Sequence, residues 1–264
     1  MLLALPISSR LLRQTHLTLL SSGRGEYNEH KQPGELRRSQ KWIGGNSLAD
    51  AAFIPPHDKL VAERMGDLEN FLHNDDIHVP ALIRIGMAHY QFRTIHPFLD
   101  GNGCIGRLLI TLYLVSEGIL NQPLLYLSAY FEKNKNLYYD NLTLVRQKSD
   151  LVQWLKYFLV GIEQTAAQAV QTLSTFLTLK LTMERVIHDT FSTRAPAALR
   201  LLQALFAKPV TTVEQAALTC ELSYRAANQL VARLREQGYL KEITGLSRNR
   251  IFVFEPHLKA FDYG

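Results

Sequence analysis

Twelve consecutive residues concentrate the side chains able to do chemistry: His96-Pro97-Phe98-Leu99-Asp100-Gly101-Asn102-Gly103-Cys104-Ile105-Gly106-Arg107. A histidine titrates near neutrality and can take a proton from an attacking hydroxyl, so His96 is a candidate general base. Asp100 suits one coordination position on Mg²⁺, which binds one or two carboxylates together with phosphates and water. Apolar helical patterns flank the stretch, placing it where one helix ends and another begins. A helix N-terminus offers unpaired N–H groups and a partial positive charge, a natural anion site. Gly101, Gly103 and Gly106 let the backbone turn and approach a ligand closely. Asn102 can donate through its amide, and Arg107 can reach back to a terminal phosphate. These are the parts of a phosphoryl or nucleotidyl transfer site. Neither a GxxxxGK(S/T) loop nor a GxGxxG following a strand is present. Plainer roles stay open: His96 as a structural helix-end residue, Asp100 as a cap, Arg107 as the partner of a surface acid.

The elements that must position this stretch are helical. Residues 7–20 read as an amphipathic helix through Ile7, Leu11, Leu12, Leu19 and Leu20. Residues 22–58 are rich in Gly, Pro, Asn and charge, and within them 42–46 and 53–56 look like two short arms of a hairpin. Helical patterns follow at 59–73 and 80–95, then from Gly103 onward, near 128–146, and at 150–192. Composition shifts around Ser192–Pro196. Beyond it come helices at 196–207, 211–218 and 223–237, with Ser223 as N-cap, and strands at 239–243 and 250–254. That order describes a winged helix-turn-helix. The expected fold is mainly α: a helical domain over 1–192 with a small β-hairpin flap, then a winged domain over 195–264.

With 47% hydrophobic and 20% charged residues in 264, the chain can bury a sizeable core. A net charge of +5 favours anionic partners without specifying one. Cys104 and Cys220 lie far apart with no metal-ligand spacing, which suits a reducing cytoplasm. No apolar run is long enough for a membrane span. The opening Met1–Ile7 is apolar but short and broken by Pro6, a poor signal peptide. Its uncovered leucines suggest a fragment of a longer chain.

The stretch at 96–107 resembles the signature of the Fic family, HxFx(D/E)GNGRxxR. The match runs through His96, Phe98, Asp100, Gly101, Asn102, Gly103 and Arg107, and breaks at Cys104. The segment from Leu36-Arg37-Arg38-Ser39-Gln40 to Pro56 is similar to the family's flap, Leu124–Tyr139 to its following helices, and the C-terminal winged helix to a common bacterial subgroup. The resemblance implies a Mg²⁺-dependent protein adenylyltransferase that moves AMP from ATP to a Ser, Thr or Tyr hydroxyl. His96 would be the base, Phe98 would pack inward to fix the loop, and Asp100 would hold Mg²⁺. Gly101, Asn102, Gly103, Cys104, Ile105, Gly106 and Arg107 would line the nucleotide, with Tyr139 beside it. The hairpin at 43–56 would align the target protein by strand-like pairing.

Two departures qualify that expectation. Cys104 replaces an arginine expected to donate to a phosphate, a loss of roughly ten- to a hundredfold in rate if nothing compensates. The inhibitory motif common in the family, Ser or Thr followed four residues on by Glu and then Gly or Asn, has no match here. In the subgroup resembled, it lies upstream of the catalytic body. A second function class therefore stands beside the enzyme: a catalytically impaired regulator acting through DNA or protein binding. Residues 195–264 carry nine Lys/Arg against six Asp/Glu, a modest surplus for DNA contact through 223–250. Docking, self-modification and homodimer formation are equally open.

Overall fold

The computed structural model describes residues 6–21, 32–123 and 125–261. The apolar opening at 1–5, part of the loop after the first helix (22–31) and Leu124 fall outside the described residues. Two compact units divide the chain, Met1–Ala167 and Gln168–Gly264. The division falls inside a long helix, upstream of the compositional shift at Ser192–Pro196. No helix among the described residues is long and apolar enough to cross a membrane.

The first unit is helical. Its elements are α1 (Ser9–Ser21), a 3₁₀ turn at Asp58–Leu60, α2 (Val61–His73), α3 (Ala81–Ile95), α4 (Asn102–Ser116), α5 (Leu127–Lys133), α6 (Lys135–Lys148) and the start of α7 (Leu151–Phe191). The single helix read over 128–146 is two, because Asn134 interrupts the run; its amide donates to the Tyr130 carbonyl at 2.9 Å, competing with the helical ladder. α2 buries Val61, Met65, Leu68 and Leu72, one stripe at helical spacing. α3 and α4 contribute Ile85, Phe92, Ile95, Ile105, Leu109 and Ile110 to the same core, which Trp154 and Phe158 of α7 close. Arg84, a buried cation on α3, donates to the Phe71, Leu72, Asn74 and Ile77 carbonyls. It thereby satisfies carbonyls at the end of α2 that the helix itself leaves unpaired.

The expected hairpin is reduced to one antiparallel bridge. Ile43 and Phe53 exchange N–H···O bonds of 2.9 and 3.1 Å, and no longer ladder forms there. Gly44 and Gly45 both take φ of +70°, and a Cβ on Gly45 would sit 2.4 Å from the Asp50 carbonyl oxygen. Asp50 gathers the Asn46 and Ser47 N–H groups at 2.8 and 2.6 Å, which holds its carboxyl down to about 2. Arg146 of α6 lies 3.6 Å from the centre of the Phe53 ring and ties the flap to the helical body.

The second unit holds the rest of α7, then α8 (Ala195–Ala207), β1 (Val210–Thr212), α9 (Val213–Cys220), α10 (Tyr224–Glu236), β2 (Leu240–Glu242), β3 (Ile251–Phe254) and α11 (Glu255–Phe261). The three strands form one antiparallel sheet in the order β1-β3-β2, with Thr211 opposite Phe252 and Lys241 opposite Val253. Ser223 caps α10, accepting from the Ala226 N–H at 3.3 Å. Ala227, Leu230, Val231 and Leu234 form its buried face, packed in a core with Met183, Ile187 and Phe191 of α7.

Candidate active site

The turn between α3 and α4 carries the polar signature. α3 stops because Pro97 has no N–H to extend the ladder. His96 closes it in a left-handed conformation, φ +52°, with its own N–H bonded to the Phe92 carbonyl at 3.0 Å. Phe98 then drops into the core and stacks on His16, ring centres 3.9 Å apart. Gly101, φ +74°, is the N-cap of α4, and a Cβ there would come within 3.2 Å of the His16 ring. His16 Nδ1 accepts the Gly34 N–H at 2.8 Å, so Nε2–H donates to the Asp100 carbonyl at 3.1 Å. Burial pushes the pKa of His16 down, in keeping with that neutral form.

Asn102 departs from its expected use. Its Oδ1 accepts the Phe98 N–H at 2.9 Å and its Nδ2 donates to the Phe98 carbonyl at 2.7 Å. The side chain is buried and closes the loop on itself, so its amide shapes the turn instead of reaching for an anion. Ile105 is wholly buried and belongs to the core. At Gly106 a Cβ would meet Phe92 at 3.2 Å and the Arg93 Cδ at 3.3 Å, while its carbonyl accepts from His89 Nδ1 at 2.8 Å. The Ile105 side chain and the open face of Gly106 therefore build the α3–α4 contact, which leaves to their backbone any lining of a nucleotide.

His96 is largely buried, and its Nδ1 has no hydrogen-bond partner among the described residues. Burial, then the charges of Arg93, Arg37, Lys41 and Arg146, push its pKa down to about 3. The imidazole is thus neutral at pH 7, the form a general base requires. An anion brought among those cations would raise it again. Asp100 is exposed at the mouth, with Oδ1 accepting the Gly101 N–H at 2.7 Å.

Arg107 lies one turn into α4. Its Nη1 is 4.0 Å from Glu132, whose side chain is 62% exposed, a weak pairing. Its Nη2 is 3.8 Å from the exposed Cys104 thiol, and its Nε is buried without an acceptor among the described residues. A Cβ on Gly103 would lie 3.5 Å from Arg107 Nη1 and 3.4 Å from Arg93 Nη1. Gly103 thus presents its open face between two guanidiniums. Tyr139 is 42% exposed and meets Tyr138 edge-on at 5.3 Å. Tyr138 is the tyrosine beside the Arg93 guanidinium, at 5.9 Å, and its hydroxyl donates to His89 Nε2 at 2.9 Å.

Three residues outside the sequence candidates organise the site. Arg37, 2% exposed, donates to the His96, Ser39, Pro56 and Ile95 carbonyls and fixes the signature loop against the flap base. His16 clamps the turn from α1. Arg93 stands three residues before His96. A cation between Phe92 and Ile95, and a histidine four residues after Leu12 on a buried helix face, are the signals that mark the last two.

An all-helical body that sets an imidazole and a helix N-terminus in one turn defines the class of this first unit. Residues 6–114 match the model of the Fic/DOC family, and that stretch is a Fic/DOC family domain. The protein adenylyltransferase Fic of Aedes aegypti is 30% identical over 134 residues, 50% of this chain and 24% of that protein. Its Drosophila erecta counterpart is 36% identical over 88 residues, 32% of this chain and 16% of that one. The chain thus spans a quarter or less of the length of these curated relatives. A Fic family protein from Desulfovibrio desulfuricans shares the fold, with a TM-score of 0.53 at 21% identity over 93% of this chain and 68% of that one.

Proposed function

We propose that this chain is a protein adenylyltransferase, transferring AMP from ATP to a Ser, Thr or Tyr hydroxyl of a target protein. The carrying observation is the meeting of a neutral, half-buried imidazole with the first turn of α4, where guanidinium groups flank the open face of Gly103. The names of the insect relatives support ATP as donor and protein as acceptor.

The residues present fit a Mg²⁺-nucleotide. The orphaned Nε of Arg107 and the weak 4.0 Å pairing of its Nη1 with exposed Glu132 leave room for an external anion. Among the described residues no group of three or more His, Cys, Asp or Glu converges as a protein-built metal cage. Asp100 alone, with phosphate oxygens and water, matches how Mg²⁺ is usually held. Mg²⁺ when bound neutralises charge on the phosphates.

The N–H groups of the α4 first turn and the Arg107 guanidinium hold the phosphates and stabilise the charge that develops on them. The target hydroxyl oxygen bonds to the α-phosphorus, and its proton passes to the unprotonated nitrogen of His96. The bond from that phosphorus to the bridging oxygen breaks, and pyrophosphate leaves with the electron pair. The flap around Ile43 and Phe53 would align the target segment by strand-like pairing. With α-labelled ATP, Mg²⁺ and a cell lysate, wild type labels protein and His96→Ala loses at least a hundredfold of that label. A complete absence of His96-dependent label on any protein, this one included, overturns the reading.

We read the second unit as a winged helix-turn-helix, with α9 and α10 as the paired helices and β2–β3 as the wing. Tyr224, Arg225 and Arg248 are exposed there, whereas Asn228 and Gln229 are engaged by Arg250 and Arg194. DNA contact through 223–250 would rest on the exposed three. Retention of duplex DNA that weakens with salt and with Arg225→Ala tests it; retention unchanged by Arg225→Ala rejects this surface.

A further inference from the structure

The first turn of α4 is flanked by a cation that the signature does not provide. Arg93 comes from α3, is 8% exposed, and brings its Nη1 within 3.4 Å of where a Cβ on Gly103 would sit. Its Nε is buried without an acceptor, and no hydrogen bond or ion pair holds its guanidinium among the described residues. Its neighbour there is the face of Tyr138, 5.9 Å away. Arg37 and Arg84 are also buried, yet each is satisfied by several backbone carbonyls. Arg93 differs from both in having its charge uncompensated.

A cation recessed from solvent without a protein partner is costly to hold, and an external anion at its Nη groups would relieve that cost. The direction of the side chain says where that ion sits. Arg93 Nη1 and Arg107 Nη1 lie 3.4 and 3.5 Å from the same point above Gly103, the second residue of a fifteen-residue helix. The N–H groups of that turn have no partner within the helix. Beside them, residue 104 is an exposed cysteine, without the guanidinium that an arginine would bring.

We propose that Arg93 is a phosphate-binding residue, gripping the nucleotide polyphosphate jointly with Arg107 and taking over from α3 the contact that an arginine at position 104 would make from α4. The proposal rests on the adenylyltransferase reading for the identity of the anion. Its physical content, a polyphosphate seated between Arg93 and Arg107, does not need catalysis to be tested. It also predicts that Cys104 weakens the enzyme far less than the bare signature implies.

The test is binding, measured by calorimetry with Mg²⁺-ATP, inorganic tripolyphosphate and adenosine on the full chain. Arg93→Gln should weaken ATP and tripolyphosphate roughly ten- to a hundredfold and leave adenosine binding within about twofold. Cys104→Arg in the Arg93→Gln background should recover at least tenfold of that loss, and should change wild type much less. A purely structural Arg93 would lower thermal stability but would not be rescued from position 104. Unchanged polyphosphate affinity in folded Arg93→Gln, or no recovery in the double variant, overturns the proposal. His96-dependent labelling that is indifferent to Arg93 would sink this proposal alone. Arg93-dependent tripolyphosphate binding without any labelling would sink the enzymatic reading alone.

Discussion

Asn102 shows how the signature can be read correctly as a pattern and differently as chemistry. Both ends of its amide bond the Phe98 backbone, closing a loop of five residues within which Asp100 and Gly101 are held. Asn102→Ala leaves a buried N–H and a buried carbonyl unpaired, so it should destabilise the domain by about 1–3 kcal/mol in urea titration. Asn102→Asp should do no better, because a carboxylate oxygen would then face the Phe98 carbonyl. The contiguous signature was legible in the sequence because its spacing is local. Its supports were not. His16 is 84 residues from the carbonyl it holds and Arg37 is 59 from the one it holds, and no periodicity links residues that meet only through folding. The packing of Ile105 and Gly106 against α3 was hidden for a related reason: position along the signature says nothing about which side of α4 a residue occupies.

At the level of elements, the close approach of α3 to α7 sets the platform on which His96 rides. A Cβ on Gly86 would come within 2.9 Å of Phe158 and 3.0 Å of Leu155, and the Gly86 carbonyl accepts the Trp154 indole N–H at 2.9 Å. Gly86→Val should therefore lower stability by about 1–3 kcal/mol through overpacking. A thermal melt at wild-type temperature for Gly86→Val would show that the helices separate more readily than this packing implies. Helical periodicity located α1 to α4 and α7 well, since each buries one stripe. It failed where side chains compete with the ladder, as at Asn134, and where elements are very short. Thr211 and Thr212 read as the start of a helix over 211–218, yet with Val210 they pair with β3 as a strand, against partners far along the chain. The helix at Glu255–Phe261 follows β3 directly and has too few residues for a periodic signal.

For the molecule as a whole, histidines couple folding to acid. Burial lowers the pKa of His16, His89, His96 and His257, with His89 and His96 taken down to about 3. Below the ordinary histidine value of 6.5 the unfolded chain gains protons that these folded sites refuse, so stability falls as pH drops from 6.5 towards 3. His89 alone, wholly buried between the Gly106 carbonyl and the Tyr138 hydroxyl, should contribute a loss of about 1.4 kcal/mol by pH 5.5. Denaturation midpoints measured between pH 7.5 and 5 should decline steadily, and His89→Gln should flatten that decline. A profile unaffected by His89→Gln would mean the imidazole is already protonated when folded. Arg37 bears on how the protein could be re-engineered. Its one guanidinium grips Ser39 and Pro56 at the roots of the flap and the His96 backbone in the signature turn. On the adenylyltransferase proposal, transplanting a foreign flap to redirect target choice would consequently disturb the proposed base as well, unless the graft preserves the backbone at 39 and 56 that this pin requires.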